Sequence, residues 1–170
     1  VMLTLSRAHQ LHYNAYDDAS DLDGDGVPET PYKGNLGGSG KFVGYYGYFD
    51  PGKCYTYANG VFSAAAMATF GMDTSGLPNA AAGKVPYCSG QWSGNFLNWA
   101  TMTRMDALRR LLYGGLRSAD SATQTILERD YLPTDAHAFA KYYNGADISK
   151  LTPFRDIVNT AAVSASAGEI

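Results

Sequence analysis

Apolar residues recur at helical spacing most clearly in QWSGNFLNWATMTRMDALRRLLYGG, the stretch from Gln91 to Gly115. Leu97, Ala100, Met105, Leu108, Leu111 and Leu112 fall along one side, and Phe96 and Trp99 widen the stripe. The spacing predicts one core helix over Asn95–Tyr113. Ser93 or Asn95 can cap its start, because a short polar side chain accepts a hydrogen bond from the unpaired N–H groups of the first turn. Gly114 and Gly115 stop it, since glycine readily takes the left-handed conformation past a helix end. Arg104, Arg109 and Arg110 lie off the stripe or toward the C-terminal end, where the helix dipole favours positive charge.

The other elements are shorter. Val1–Leu5 is aliphatic, uncharged and partly β-branched, which predicts a buried strand. A strand followed by a core helix fits an α/β sandwich in which the helix lies on the sheet. Ser63–Val85 is mostly small residues and reads as a surface excursion, and 34–41 reads as a flexible linker. Thr125–Leu132 is either a strand or the last turns of a helix begun near Ser118. Ala136–Tyr143 has helical propensity after the Pro133-Thr134-Asp135 cap, with Asn144-Gly145 as its stop. Ile148–Phe154 is expected to be extended, at an edge because of Pro153.

Length and composition narrow the function. The chain has 170 residues, enough for one domain with a sizeable core. A net charge of −3, with 17% charged residues, gives no electrostatic case for nucleic acid. Thirteen Tyr and 19 Gly with so little charge suit a loop-rich, exported surface. No apolar run is long enough to span a membrane. The apolar start and the small-residue end read as a piece of something longer. Cys54 and Cys88 lack metal-ligand spacing; exported, they would pair, and in a reducing compartment they would stay as buried thiols.

DLDGDGVPE, from Asp21 to Glu29, carries the sharpest chemistry. A hard cation such as Ca²⁺ takes six to eight oxygens, and a tight loop supplies them from alternate positions. Asp21, Asp23 and Asp25 stand at loop positions one, three and five, with Gly26 at the sharp turn. Val27 offers its carbonyl and Glu29 its carboxylate, directly or through water. Tyr32 stands where an EF-hand has its bidentate Glu, and Pro28 and Pro31 disfavour flanking helices, so this is the helix-free version of the loop. Three carboxylates so close would repel one another without a cation.

Tyr45, Tyr46, Tyr48 and Phe49 form an aromatic cluster that either makes a binding face for sugar or protein, or fills a small core beneath the loops. His9 and His12 are expected to be ordinary surface or core histidines. No G-x-S-x-G elbow, H-E-x-x-H motif or Cys/His pairing occurs, and Glu128 and Asp130 would point to opposite faces of a strand. The residues argue for no enzyme.

In order, YYGYFDPGKCYTY, CSGQWSGNFLNWATMTRMDALRRLLYGG and TILERDYLPTDAHAFAKYY resemble the N-terminal region of PilY-type proteins, the type IV pilus tip-associated adhesins and assembly factors. The resemblance runs from Val1 to about Phe154. It implies a fragment, residues 1–170, of a von Willebrand factor A-like α/β domain, with Val1–Leu5 as first sheet strand. Residues 7–91 would then be a loop-rich insertion carrying the calcium loop and the cysteines, and the family's C-terminal β-propeller is not in these residues. It further implies an extracellular place at the pilus tip, minor pilins as partners, and contact with a surface or host receptor. The D-x-S-x-S metal site of a typical A domain is missing, because Leu5 is followed by Ser6, Arg7, Ala8, His9 and Gln10. The alternative from a different class is a calcium-stabilised carbohydrate-binding module that uses the Tyr45–Phe49 cluster.

Overall fold

The expected long helix is two helices, α1 (Gly94–Thr101) and α2 (Arg104–Tyr113). A computed structural model describes residues 8–16, 32, 34, 43–70, 86–135, 138–143 and 147–154. Ser93 caps α1, its hydroxyl accepting the Phe96 N–H at 3.4 Å. The break follows from a second capping signal that the apolar spacing hides. Thr103 accepts the Asp106 N–H at 3.0 Å, while the Asp106 carboxylate accepts the Thr103 N–H, a reciprocal box that starts a new helix. Tertiary pairing fixes the gap. Ala15 N–H donates to Met102 O and Arg104 N–H to Tyr13 O, so the N-terminal segment takes backbone groups that a continuous helix would have used. Gly114 ends α2 at φ 86°, as its position requires, and Arg110 donates to its carbonyl.

β1 (Lys53–Ala58) and β2 (Val61–Met67) form an antiparallel hairpin through Asn59 and Gly60, both at positive φ. β5 (Trp92–Ser93) pairs on the far side of β1, giving the order β2-β1-β5. Two smaller pairs are β3 (Thr69–Phe70) with β4 (Pro86–Tyr87), and β6 (Arg117–Asp120) with β7 (Thr125–Leu127). Residues 63–70, expected to be a surface excursion, are therefore largely strand. Thr125–Leu127 takes the strand alternative.

Two expectations are corrected. Residues 138–143 are not helical, and Ile148–Leu151 is a short helix, α3, rather than an extended edge. In α3 the Thr152 N–H and hydroxyl both close onto Ile148 O, and this turn drives Leu151 into the core with no exposed surface. Every pairing among the described strands is antiparallel. The Val1–Leu5 strand, the Asp21–Glu29 loop and most of the 34–41 linker lie outside the described residues. No described helix is long and apolar enough to cross a membrane.

The core is aromatic. Tyr32, Tyr45, Phe96, Trp99 and Tyr143 pack around Leu151, with Tyr32 stacked on Tyr45 at 5.5 Å and edge-on to Phe96 at 5.1 Å. A second small cluster contains Cys54, Cys88 and Ala68.

Candidate functional site

Two asparagines on one face of α1 organise the region around the aromatic cluster. Asn95 accepts the Tyr45 N–H at 2.7 Å and donates to Val43 O at 3.0 Å. One turn later, Asn98 accepts the Phe49 N–H at 3.0 Å and donates to the carbonyls of Tyr45 and Phe49, both at 2.8 Å. Both side chains are fully buried. The i, i+3 spacing places the two amides in line, and they act on segment 43–49 as a neighbouring strand would, satisfying its backbone groups away from water. Gly47 is needed here because a Cβ at that position would lie 2.2 Å from Asn98 Oδ1.

This latch separates the four cluster residues. Tyr45 is 2% exposed, Tyr46 is 50% exposed, and Tyr48 and Phe49 are half-buried. The Tyr48 hydroxyl accepts the Leu116 N–H at 3.2 Å, while Phe49 packs edge-on to Tyr55 and Phe62. The four do not share one exposed face: Tyr45 takes the core alternative, Tyr48 and Phe49 pack half-buried beside it, and Tyr46 is open to solvent. Adjacent residues of an extended segment point opposite ways, and the asparagine latch decides which way is inside.

Cys54 and Cys88 are joined by a disulfide, with Cα atoms 5.6 Å apart and 34 residues of sequence separation. It ties β1 to the end of β4. Cys88 N–H then donates to Lys150 O, and Tyr87 and Tyr143 both give their hydroxyls to Asp147, so the same corner holds α3. Burial, with the Asp147 carboxylate beside it, pushes the Tyr87 hydroxyl up to about 12.

A polar node lies at the other end. Asp130 is buried and accepts from His12 Nδ1 at 2.5 Å and Arg109 Nη1 at 2.8 Å. Its N–H donates to Asp106 Oδ1 at 2.9 Å. Burial holds the Asp106 carboxyl above the ordinary carboxylate range, against the pull of the Asp130 and Thr103 donors. Burial likewise lowers the Arg129 guanidinium, with Asp106 opposing. The node joins the N-terminal turn (His9–His12), α2 and the irregular segment that follows β7, which is a clamp. No described group of His, Cys, Asp and Glu has the arrangement of a metal centre.

The surface is more apolar than the charge count implies. Leu111 is 72% exposed, and Leu112 and Tyr113 are close to half exposed at the end of α2. Leu111, with Tyr16, Tyr46, Ala107 and Leu108, borders a shallow groove of about 530 Å³. The expected core stripe therefore serves the core mainly through α1 and Met105; Leu108 is half-buried, and only the last turn, 111–113, faces outward. The asparagine latch was missed in the sequence, although polar Asn95 and Asn98 inside an apolar helix face are a readable sign of buried hydrogen bonding. Asp130 carried no such sign.

Comparison with known proteins places the chain. The family described as the PilY1 homolog, small alpha/beta domain, matches residues 40–169. A type IV pilus biogenesis factor PilY1 homolog of Xylella fastidiosa is 44% identical over 157 residues, which is 89% of this chain and 9% of that protein. A second protein of the same name and organism is 38% identical over 97 residues, covering 51% of this chain and 7% of that protein. The chain thus spans under a tenth of the length of these relatives. No solved structure matches it. On the match over residues 40–169 and the identity across most of its length, the chain belongs to the PilY1 homolog family and carries its small alpha/beta domain.

Proposed function

We propose that this domain is a non-catalytic interaction module of the type IV pilus, acting in pilus assembly and in adhesion at the pilus tip. The observation that carries the reading is the 44% identity to a protein named as a pilus biogenesis factor. The described side chains support it, because their buried polar groups are engaged in holding segments together and their exposed apolar residues suit contact with other proteins. Minor pilins are the assembly partners, and a surface or host receptor is the adhesive one. The place of action is extracellular.

A von Willebrand A-like frame, with residues 7–91 as its insertion, rests on the family resemblance. The described pairings are antiparallel, so any parallel sheet of such a frame is supplied by other residues. Asp21, Asp23, Asp25, Val27 and Glu29 hold a calcium ion that orders their loop, on the strength of their spacing. Calorimetric titration tests this: one site, lost in Asp23→Ala and in Asp25→Ala, is expected, and no heat in the unaltered chain contradicts it. The pilus reading is tested by removing residues 8–154 from the parent protein in its own host. Loss of surface pili at normal levels of the remaining protein is expected; full piliation with normal adhesion overturns the reading.

A further inference from the structure

β2 is an edge strand. It pairs with β1 on one side, and among the described residues its other edge has no partner. Residues 63–67 are exposed, Met67 at 67%. An edge of this kind presents a row of open N–H and C=O groups, and proteins ordinarily blunt it with Lys, Pro or a bulge. VFSAAAM contains no charge and no proline. One bulge is present, where pairing steps from Tyr55–Ala64 to Cys54–Ala66 and leaves Ala65 unmatched, so the regular part of the edge is Val61–Ala64.

The sheet beside this edge has an aromatic face. Cross-strand partners share a face, so the pairs Tyr57–Phe62 and Tyr55–Trp92 set four rings on the same side. Phe62 contacts Tyr57 at 4.7 Å and Trp92 at 5.8 Å, and Phe154 closes the row on Trp92 at 5.3 Å. The row stops at β2, where Ala64, the next residue after Phe62 on that face, is exposed and carries no ring.

We propose that this edge receives an antiparallel strand from a partner polypeptide, uncharged along the contact and carrying apolar side chains at alternate positions. The open backbone groups define an extended chain as occupant, since only another strand offers donors and acceptors at matching intervals. The absence of charge on β2 selects against a charged strand, whose side chains would lose water against alanines without gaining a counter-ion. A β-branched or aromatic residue opposite Ala64 extends the ring row. This inference stands on the sheet alone and does not depend on the pilus reading.

The test uses the whole chain and a synthetic peptide of alternating threonine and valine with a lysine at each end, beside the same peptide N-methylated at alternate amides. Saturable changes in backbone amide signals confined to 61–67 and their sheet neighbours are expected. N-methylation of the peptide, or Ala64→Lys in a chain with unchanged melting, should weaken the effect by about tenfold or more. The absence of saturable change overturns the proposal, as does equal binding of the N-methylated peptide, which isolates the backbone contribution even where Ala64→Lys perturbs folding. Concentration-dependent protection of 61–67 without peptide overturns it in favour of self-pairing.

Discussion

α1 and α2 come from one continuous apolar run, yet they are used in opposite ways. Gly94 through Trp99 of α1 are all buried, whereas α2 buries only Met105 and Asp106 in its first turn and ends with Leu111 and Leu112 in the open. The division falls at Thr103, where the capping box and the Tyr13–Ala15 backbone bonds redirect the chain. Hydrophobic periodicity reports which residues share a side of a helix, and tertiary packing decides whether that side is covered.

The sharpest way to break this contrast is Trp99→Ala. Trp99 touches Phe96, Tyr32 and Tyr143, so its loss should cost about 3–5 kcal/mol in denaturant titration. A cost near zero would mean that α1 is not the interior element. Removing the disulfide by Cys54→Ala with Cys88→Ala should cost about 3–4 kcal/mol by chain entropy, read as a lower denaturation midpoint than that of the oxidised parent.

Asn98→Ala sharpens the comparison further. It leaves the Phe49 N–H and two carbonyls without partners, which predicts a loss of about 2–3 kcal/mol and faster amide exchange at Phe49. Asn98→Asp should not restore it, because a carboxylate cannot donate to the Tyr45 and Phe49 carbonyls.

Much of this contrast was hidden in the sequence, for identifiable reasons. The Ser93 cap and the glycine stop were legible because both act within a few residues. The break at Met102–Thr103 carried a local sign, Thr103 followed by Asp106, that the apolar stripe outweighed. The Asn59-Gly60 hairpin was equally local, and the alanines after it masked β2 as loop. The outward turn of Leu111 and the pairing of His12 with Asp130, 118 residues apart, have no local sign at all. For α3, Ile148 and Leu151 stand at helical i, i+3 spacing, but one turn is too short for that period to show, and Pro153 pointed to an extended edge; packing on Tyr143 and Tyr32 accompanies the helix.

A smaller effect comes from Asp106 at the junction. Its carboxyl is raised by burial, so between the ordinary carboxylate value and the raised one the folded chain holds a proton that the unfolded chain has released. Stability from this group is therefore present at the acid side of that window and declines as pH rises through it. Asp106→Asn should flatten that slope in thermal melts taken across acidic to neutral pH, and an unchanged slope would assign the dependence to another group.

The most direct test of the module as an interaction surface is a count of surface pili in the native host, with the parent protein carrying Leu111→Asp and Leu112→Asp. Both residues are exposed, so melting should change by no more than about 0.5 kcal/mol, within the range of ordinary surface substitutions. A folded, normally abundant variant with sharply fewer pili is the predicted result. Full piliation by that same variant would contradict the assignment of α2's outward face to pilus assembly.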